Sequence, residues 1–511
     1  FVSLLAFRLA NVFLVQTYIH PDETWQSLEV AHRSAFGYGF ATWEWHYALR
    51  GFAHPMMFAA VYRALGWLRL DDTFLILAAP YALVALTAAA VDYATYHFAK
   101  RIAGCQVAPW ALVCSLVSWT MASGIVRPLV NSAETALTAA AFVFWPWRRS
   151  GSRADRVAQS SSTIATGSSL PAALALAASS CIIRPTSGAL WLCAGIVLLL
   201  RQPRTHRVAR TAYIIRTALL IGAAALLIML SIDRIWYGEW VFPPYNFYVF
   251  NVGEGLATWF GESSPFYHLF VSIPTLFTSM LPFVFHGIYV SYRDHCMSLD
   301  PAAVAVAASV VFSLVGHMEY RFLYPLLPIG FTYSAVSIHT SRWLTLRNVI
   351  VYLLVTNVPA ALYLDLVHQR GVVDVMAHLR QRAVSGEVKS IGFLMPCHST
   401  PFYSHLHKDI AMWFLTCEPP LEKSRLPTHY WEADEFEQNP DAFLDTIFRH
   451  LGNAHPLPGS PRPRPSHLVL YECMADRIHG HLAALGYGEC ARFFNTHFAG
   501  DSRREGDVLV Y

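Results

Sequence analysis

The sequence predicts an α-helical polytopic membrane protein that ends in a soluble domain of mixed α/β character, and three observations carry the prediction. Hydrophobic residues make up 55% of the 511 and charged residues only 14%, with a positive mean hydropathy. A soluble globular chain of this length is less apolar. The apolar residues also cluster into runs joined by short polar segments, and that pattern stops near residue 368, where charges, prolines and histidines become frequent.

In chain order the apolar runs are 1–18, 75–98, 107–123, 130–147, 170–183, 188–200, 212–232, 267–290, 301–315, 323–338 and 349–364. They predict about eleven transmembrane helices, several shorter than the roughly 20 residues that usually span a bilayer. Basic clusters at Lys100 and Arg101, 148–156, 201–210, Arg293 and 342–347 mark the cytoplasmic side. The parity holds when 54–70, which carries Arg63 and Arg69, lies along the surface as an amphipathic helix, with 24–36 as its companion. Residues 148–169, rich in Ser and Arg, read as a flexible cytoplasmic linker.

This divides the chain into a membrane domain, 1–367, and a soluble domain, 368–511. The loops 19–74 and 233–266 fall on the same far side as the soluble domain. Within that domain 389–395 and 468–471 read as strands, and 440–451 and 475–485 as helices. Cys397, Cys417, Cys473 and Cys490 allow two disulfides in an oxidising compartment without fixing the pairing. Cys105, Cys114, Cys181 and Cys193 lie in apolar runs and read as packed thiols. The net charge of +3 and the lack of a basic stripe exclude nucleic acid as a partner. The chain starts without Met or a charged leader, so a short tail is expected to precede it.

Six polar motifs converge on the far side: 20–23, 37–45, 127–134, 184–187, 233–264 and 317–321. The first sets Asp22 and Glu23 beside His20 where a helix leaves the bilayer. A carboxylate there can take the proton of an attacking hydroxyl, and Asp22 is the choice for that base. Arg127-Pro128 and Arg184-Pro185 each place an arginine before a proline that can open a helix. An arginine there opposes the helix dipole and points to an anion as its partner, one it can hold in two-pronged geometry. With His317 and Arg321, these arginines suit a leaving lipid phosphate. One base and a single displacement invert the anomeric carbon, by analogy with inverting glycoside hydrolysis.

Simpler readings stand beside these. Asp22 and Glu23 also suit a helix start, and the arginines suit snorkelling at an interface. Asn131 and Glu134, three apart on one helix face, either bind sugar hydroxyls or satisfy each other. Trp43 and Trp45 are secondary candidates for sugar stacking. His317 with Glu319, and His398, His405 and His407, invite a metal reading, yet such spacings are common on loops without any ion.

Four runs carry a family resemblance. They are Pro21-Asp22-Glu23-x-Trp25-Gln26-Ser27-Leu28-Glu29-Val30, Gly37-Tyr38-Gly39-Phe40-Ala41-Thr42-Trp43-Glu44-Trp45, His317-Met318-Glu319-Tyr320-Arg321-Phe322-Leu323-Tyr324-Pro325 and Met395-Pro396-Cys397-His398-Ser399-Thr400-Pro401. In this order they resemble glycosyltransferase family 22, and the last run resembles its glycosylphosphatidylinositol (GPI) anchor branch. The resemblance implies a C-type glycosyltransferase fold in the endoplasmic reticulum membrane, with the active site and the soluble domain lumenal. It implies dolichyl phosphate mannose as donor, a GPI-anchor precursor glycolipid as acceptor, transfer of the third mannose in α1,2 linkage, and no metal or other cofactor. Asp22 matches the family's base; Met318 stands where the family usually has lysine. Membrane lipids are the remaining expected partners, and the sequence names no protein subunit. Two other readings are a relative acting on the lipid-linked N-glycan precursor and a transporter or scramblase. The last expects charges within the spans and repeated helices; charges inside the runs are few, Arg8, Asp92 and Arg216 among them, and no repeat is visible.

Overall fold

A computed structural model describes residues 1–148, 169–202, 207–256, 259, 261–341, 345–419, 431–448 and 462–511. The expected linker 148–169 therefore falls almost wholly outside the described residues. The chain forms two compact units, Phe1–Phe13 with Ala48–Met56 and Tyr81–Ala361, and Leu14–Tyr47 with Met57–Pro80 and Leu362–Tyr511.

The first unit is helical. Each apolar run read from the sequence contains a helix: among them are Val2–Leu14, Leu75–Ala103, Ala108–Val117, Val130–Phe144, Leu170–Ile183, Ser187–Leu200, Arg207–Tyr237, Asp300–Phe312 and Leu327–Thr340. Leu75–Ala103, Arg207–Tyr237, His268–Asp294 and Arg347–Val384 are long and apolar enough to cross a membrane by length and composition. Others are interrupted. Ala108–Val117 gives way to a π-turn at Thr120–Gly124, and the run from His268 to Asp294 breaks at Thr278, whose φ is 40°. Such breaks persist at membrane depth where neighbouring helices satisfy the freed backbone groups.

Close packing sets the helix spacing. Leu281–Asp294 and Leu327–Thr340 meet at Gly287, where a Cβ would overlap the Tyr333 carbonyl. Small residues allow this approach when no hydrophobic force drives helices together in lipid. The charges inside the runs are partly accounted for by pairing: Arg8 and Asp92 are both fully buried and joined at 2.7 Å. Cys105, in contrast to the expectation, is exposed, because it sits in the turn between two helices and not within a packed run.

The second unit is built on a mixed sheet of five strands: β1 (Ser390–Phe393), β2 (Ala411–Phe414), β3 (His467–Tyr471), β4 (Ala491–Phe493) and β5 (Val508–Val510), in the order β2-β1-β3-β5-β4. β1 runs parallel to β2 and β3, while β5 is antiparallel to β3 and β4. Helices Gly371–Val384 and Glu472–Ala484 cover the sheet, with Pro440–Ile447 beside the latter. Both strands and both helices read from the sequence occur, within the usual boundary shifts. One disulfide forms, Cys397–Cys417; Cys473 and Cys490 are free.

Residues of the first loop belong to this unit. A π-turn at Thr24–Leu28 leads into the helix Glu29–Phe36, which ends at Gly37 in a left-handed cap with φ 83° that glycine adopts without strain. Trp25 and Tyr18 lie in the same core as Val375, Leu379, Ile391 and Leu406.

Candidate active site

In the second unit the acidic loop starts with backbone pinning. Gln16 and Tyr18 donate their N–H groups to the carbonyls of Asp365 and Gln369 at 2.7 and 3.2 Å. At Pro21 the chain turns, its carbonyl accepting from the N–H of Thr24 and Trp25 at 3.1 and 3.0 Å. The two carboxylates then take different parts. Glu23 is fully buried, and its Oε1 accepts from the backbone N–H of Ile19 at 3.0 Å and His20 at 2.8 Å. It thus reaches backward to hold the turn, without a forward cap on the helix that follows. Asp22 is half-buried, as is His20.

The same loop carries a carboxylate that the sequence reading left without a role. Glu29 is fully buried and accepts from the N–H groups of Phe40, Tyr403 and Ser404 at 3.1, 3.2 and 2.8 Å. Burial outweighs these bonds and pushes its pKa up to about 7. Nearby, His32 Nε2 lies 2.9 Å from His407 Nδ1, and burial lowers the pKa of His32 to about 3. Trp43 and Trp45, the sugar-stacking candidates, are 7% and 3% exposed, so neither presents an open ring face. They pack in the interior.

In the first unit the cationic candidates gather where Tyr320–Leu326 packs on the helix Val130–Phe144. Arg127 is fully buried and donates through Nε to the Ser123 carbonyl at 2.6 Å. Glu134 Oε2 accepts from Arg184 Nη1 at 3.0 Å, and the Arg184 guanidinium lies 4.7 Å from the Phe322 ring centre. Arg321 grips Glu319 with two bonds, 2.6 and 2.7 Å. His317 Nδ1 lies 3.1 Å from the Gly261 carbonyl and Nε2 lies 3.5 Å from Glu319 Oε1. The Glu319 carboxylate raises the His317 pKa, against the opposing effect of burial.

Two expectations change here. The prolines of the Arg-Pro pairs do not open helices: Leu129 and Thr186 are the caps, so Pro128 and Pro185 sit one residue outside. Arg184 instead closes the helix Leu170–Ile183, an end where a cation suits the dipole. Its placement therefore demands no external anion, and Glu134 is its partner. Nor do Asn131 and Glu134 satisfy each other, since Asn131 Nδ2 and Glu134 Oε1 are both buried without a hydrogen-bond partner. Met318 is buried at 4% exposure. The candidate metal-ligand group among the described residues, Cys397 with His398 and Cys417, has both sulfurs in the disulfide.

The comparisons with known proteins agree along the whole chain. Residues 1–407 match the model of the Alg9-like mannosyltransferase family. GPI mannosyltransferase 3 of Yarrowia lipolytica is 40% identical over 517 aligned positions, covering all of this chain and 96% of that protein. GPI alpha-1,2-mannosyltransferase 3 of Homo sapiens is 34% identical, covering 99% of this chain and 85% of its own. Among solved structures, ArnT of Cupriavidus metallidurans bound to undecaprenyl phosphate aligns over all of this chain and 96% of its own with a TM-score of 0.56. At 13% identity that likeness speaks for the fold, a C-type membrane glycosyltransferase. From its half-buried aspartate loop and buried arginine cluster to its full-length relatives, the chain belongs to the Alg9-like mannosyltransferase family.

Proposed function

We propose that this enzyme transfers mannose from dolichyl phosphate mannose to the second mannose of a GPI-anchor precursor, forming the third, α1,2-linked residue. The similarity to relatives of that name, 32–40% identical over at least 99% of this chain, carries the reading. The transfer is a single displacement. The acceptor hydroxyl attacks the anomeric carbon, Asp22 takes its proton, and the bond to the lipid phosphate breaks with inversion. The phosphate leaves as an anion, and Arg127, Arg321 and His317 supply positive charge for it. Glu23 holds the turn that carries Asp22. The chemistry runs without a metal ion, at the lumenal face of the endoplasmic reticulum membrane.

The division of labour between the carboxylates supports the choice of base. Glu23 spends an oxygen on two backbone donors, whereas Asp22 is the more exposed member of the pair. The test is a membrane assay offering dolichyl phosphate mannose with either the dimannosyl anchor precursor or the lipid-linked N-glycan precursor. One mannose added to the anchor lipid, and released by an α1,2-specific mannosidase, supports the assignment. Extension of the N-glycan precursor alone would move the enzyme to the other pathway.

A further inference from the structure

The segment bearing Asp22 is tied on both sides to one short stretch of the carboxy-terminal sequence. Before Asp22, the Tyr18 hydroxyl lies 3.1 Å from the Pro21 carbonyl, 2.9 Å from Thr24 Oγ1 and 3.3 Å from the His398 carbonyl. After it, Trp25 Nε1 donates to the Thr400 carbonyl at 3.0 Å, and the Trp25 ring lies 4.3 Å from the His398 ring and 5.1 Å from that of Phe402. One helical turn on, Glu29 accepts from the N–H groups of Tyr403 and Ser404. Three anchors from residues 18–29 thus end on residues 398–404.

That stretch is itself fixed. The Cys397–Cys417 disulfide fastens its start to the segment after β2, and Ser399 Oγ donates to the Pro396 carbonyl at 2.5 Å. His398 adopts a left-handed backbone with φ 58°, a strained conformation that persists only where the surroundings enforce it. It is close enough to Asp22 for the two to interact electrostatically, while burial keeps its imidazole neutral.

We propose that the disulfide-closed segment 397–404 is the positioning element for Asp22, so that Tyr18, Trp25 and His398 act on catalysis by fixing where the base sits. This rests on the reading of Asp22 as the base. A base displaced by about 1 Å loses on the order of a hundredfold in rate, and a loop leaving a helix end needs external support to avoid that. Here the support comes from a sequence 375 residues away, which gives the Cys-His-Ser-Thr-Pro run a task in the reaction itself.

The experiment uses the full-length enzyme in detergent-solubilised membranes, with rates expressed per folded, monodisperse molecule. Tyr18→Phe removes one hydroxyl and keeps the ring, and Trp25→Phe removes the indole N–H with its five-membered ring and keeps an aromatic side chain. Both are expected to lower kcat by about tenfold to a hundredfold with each KM within about twofold of wild type. The Cys397→Ser/Cys417→Ser pair should give the same pattern, and Cys490→Ser, an exposed free thiol, wild-type kinetics. A merely structural role reduces the folded yield and leaves kcat per folded molecule unchanged, which would overturn the proposal, as would a rise in KM without a fall in kcat. Asp22→Asn runs in parallel. If it is inactive while the Phe variants are normal, the base stands and the positioning role falls; if it is active, both fall.

Discussion

Removing the carboxylate of Asp92 should destabilise the helical unit by about 4 kcal/mol. Arg8 donates from Nε to Asp92 Oδ2 at 2.7 Å and from Nη2 to Oδ1 at 2.9 Å, and Ser115 Oγ adds a bond to Oδ1 at 2.6 Å. Asp92→Ala deletes all three. The stranded guanidinium keeps Asn11 Oδ1 at 2.9 Å and the carbonyls of Met121 and Ser115 at 3.3 Å, so its charge is solvated but no longer neutralised. Two charge-assisted bonds are worth about 3–6 kcal/mol, and breaking one side of a buried pair costs about 3–5 kcal/mol. The two ranges overlap near 4. Replacing both residues, Arg8→Met with Asp92→Leu, removes the charge with its partner and should recover most of the loss. Unfolding in detergent can be followed by maleimide labelling of Cys114, a fully buried thiol next to Ser115, mapped by mass spectrometry. Labelling of Asp92→Ala at the wild-type temperature, or a double variant weaker than Asp92→Ala, refutes the reasoning.

Other consequences follow from single contacts. Because the pKa of Glu29 rises on folding to about 7, the folded state holds a proton that the unfolded state releases near pH 4.5. Wild type should therefore lose up to about 3 kcal/mol relative to Glu29→Gln as pH climbs through that window, read as the difference in melting temperature against pH. His317 has the same sign, its raised pKa making the Glu319 contact fully present below the ordinary histidine value and lost at higher pH. His317→Gln should flatten the alkaline fall in kcat. Gly287→Ala drives a methyl into the Tyr333 carbonyl and should cost more than about 2 kcal/mol by thermal unfolding. Arg184→Ala should damage folding more than Glu134→Gln, because it leaves a carboxylate buried without its cation.

How much of this was legible depends on sequence distance. The helices could be read because membrane insertion demands long apolar runs, and each run is local. The Asp22 motif and the strands at Ser390–Phe393 and His467–Tyr471 are local as well. What escaped was pairing between distant positions. Arg184 meets Glu134 across 50 residues, and Trp25 meets Thr400 across 375. Reading Arg184 from its neighbour Pro185 gave it a helix N-terminus and an anion, whereas the fold gives it a helix C-terminus and a glutamate. Glu29 lay inside a quoted motif, yet nothing local marked it as a buried acceptor of three amides. Cys105 looked apolar by its neighbours but sits in a turn. Four cysteines admitted several pairings, and only the fold selects Cys397 with Cys417.

The most direct measurement offers dolichyl phosphate mannose and the dimannosyl anchor precursor to wild type and to Asp22→Asn, both confirmed as folded, and reads the length of the lipid-linked glycan. The isostere keeps the hydrogen-bonding capacity of Asp22 and removes its basicity. The account predicts one added mannose with wild type and a loss of at least about a hundredfold in kcat for Asp22→Asn. Transfer by Asp22→Asn at the wild-type rate contradicts it.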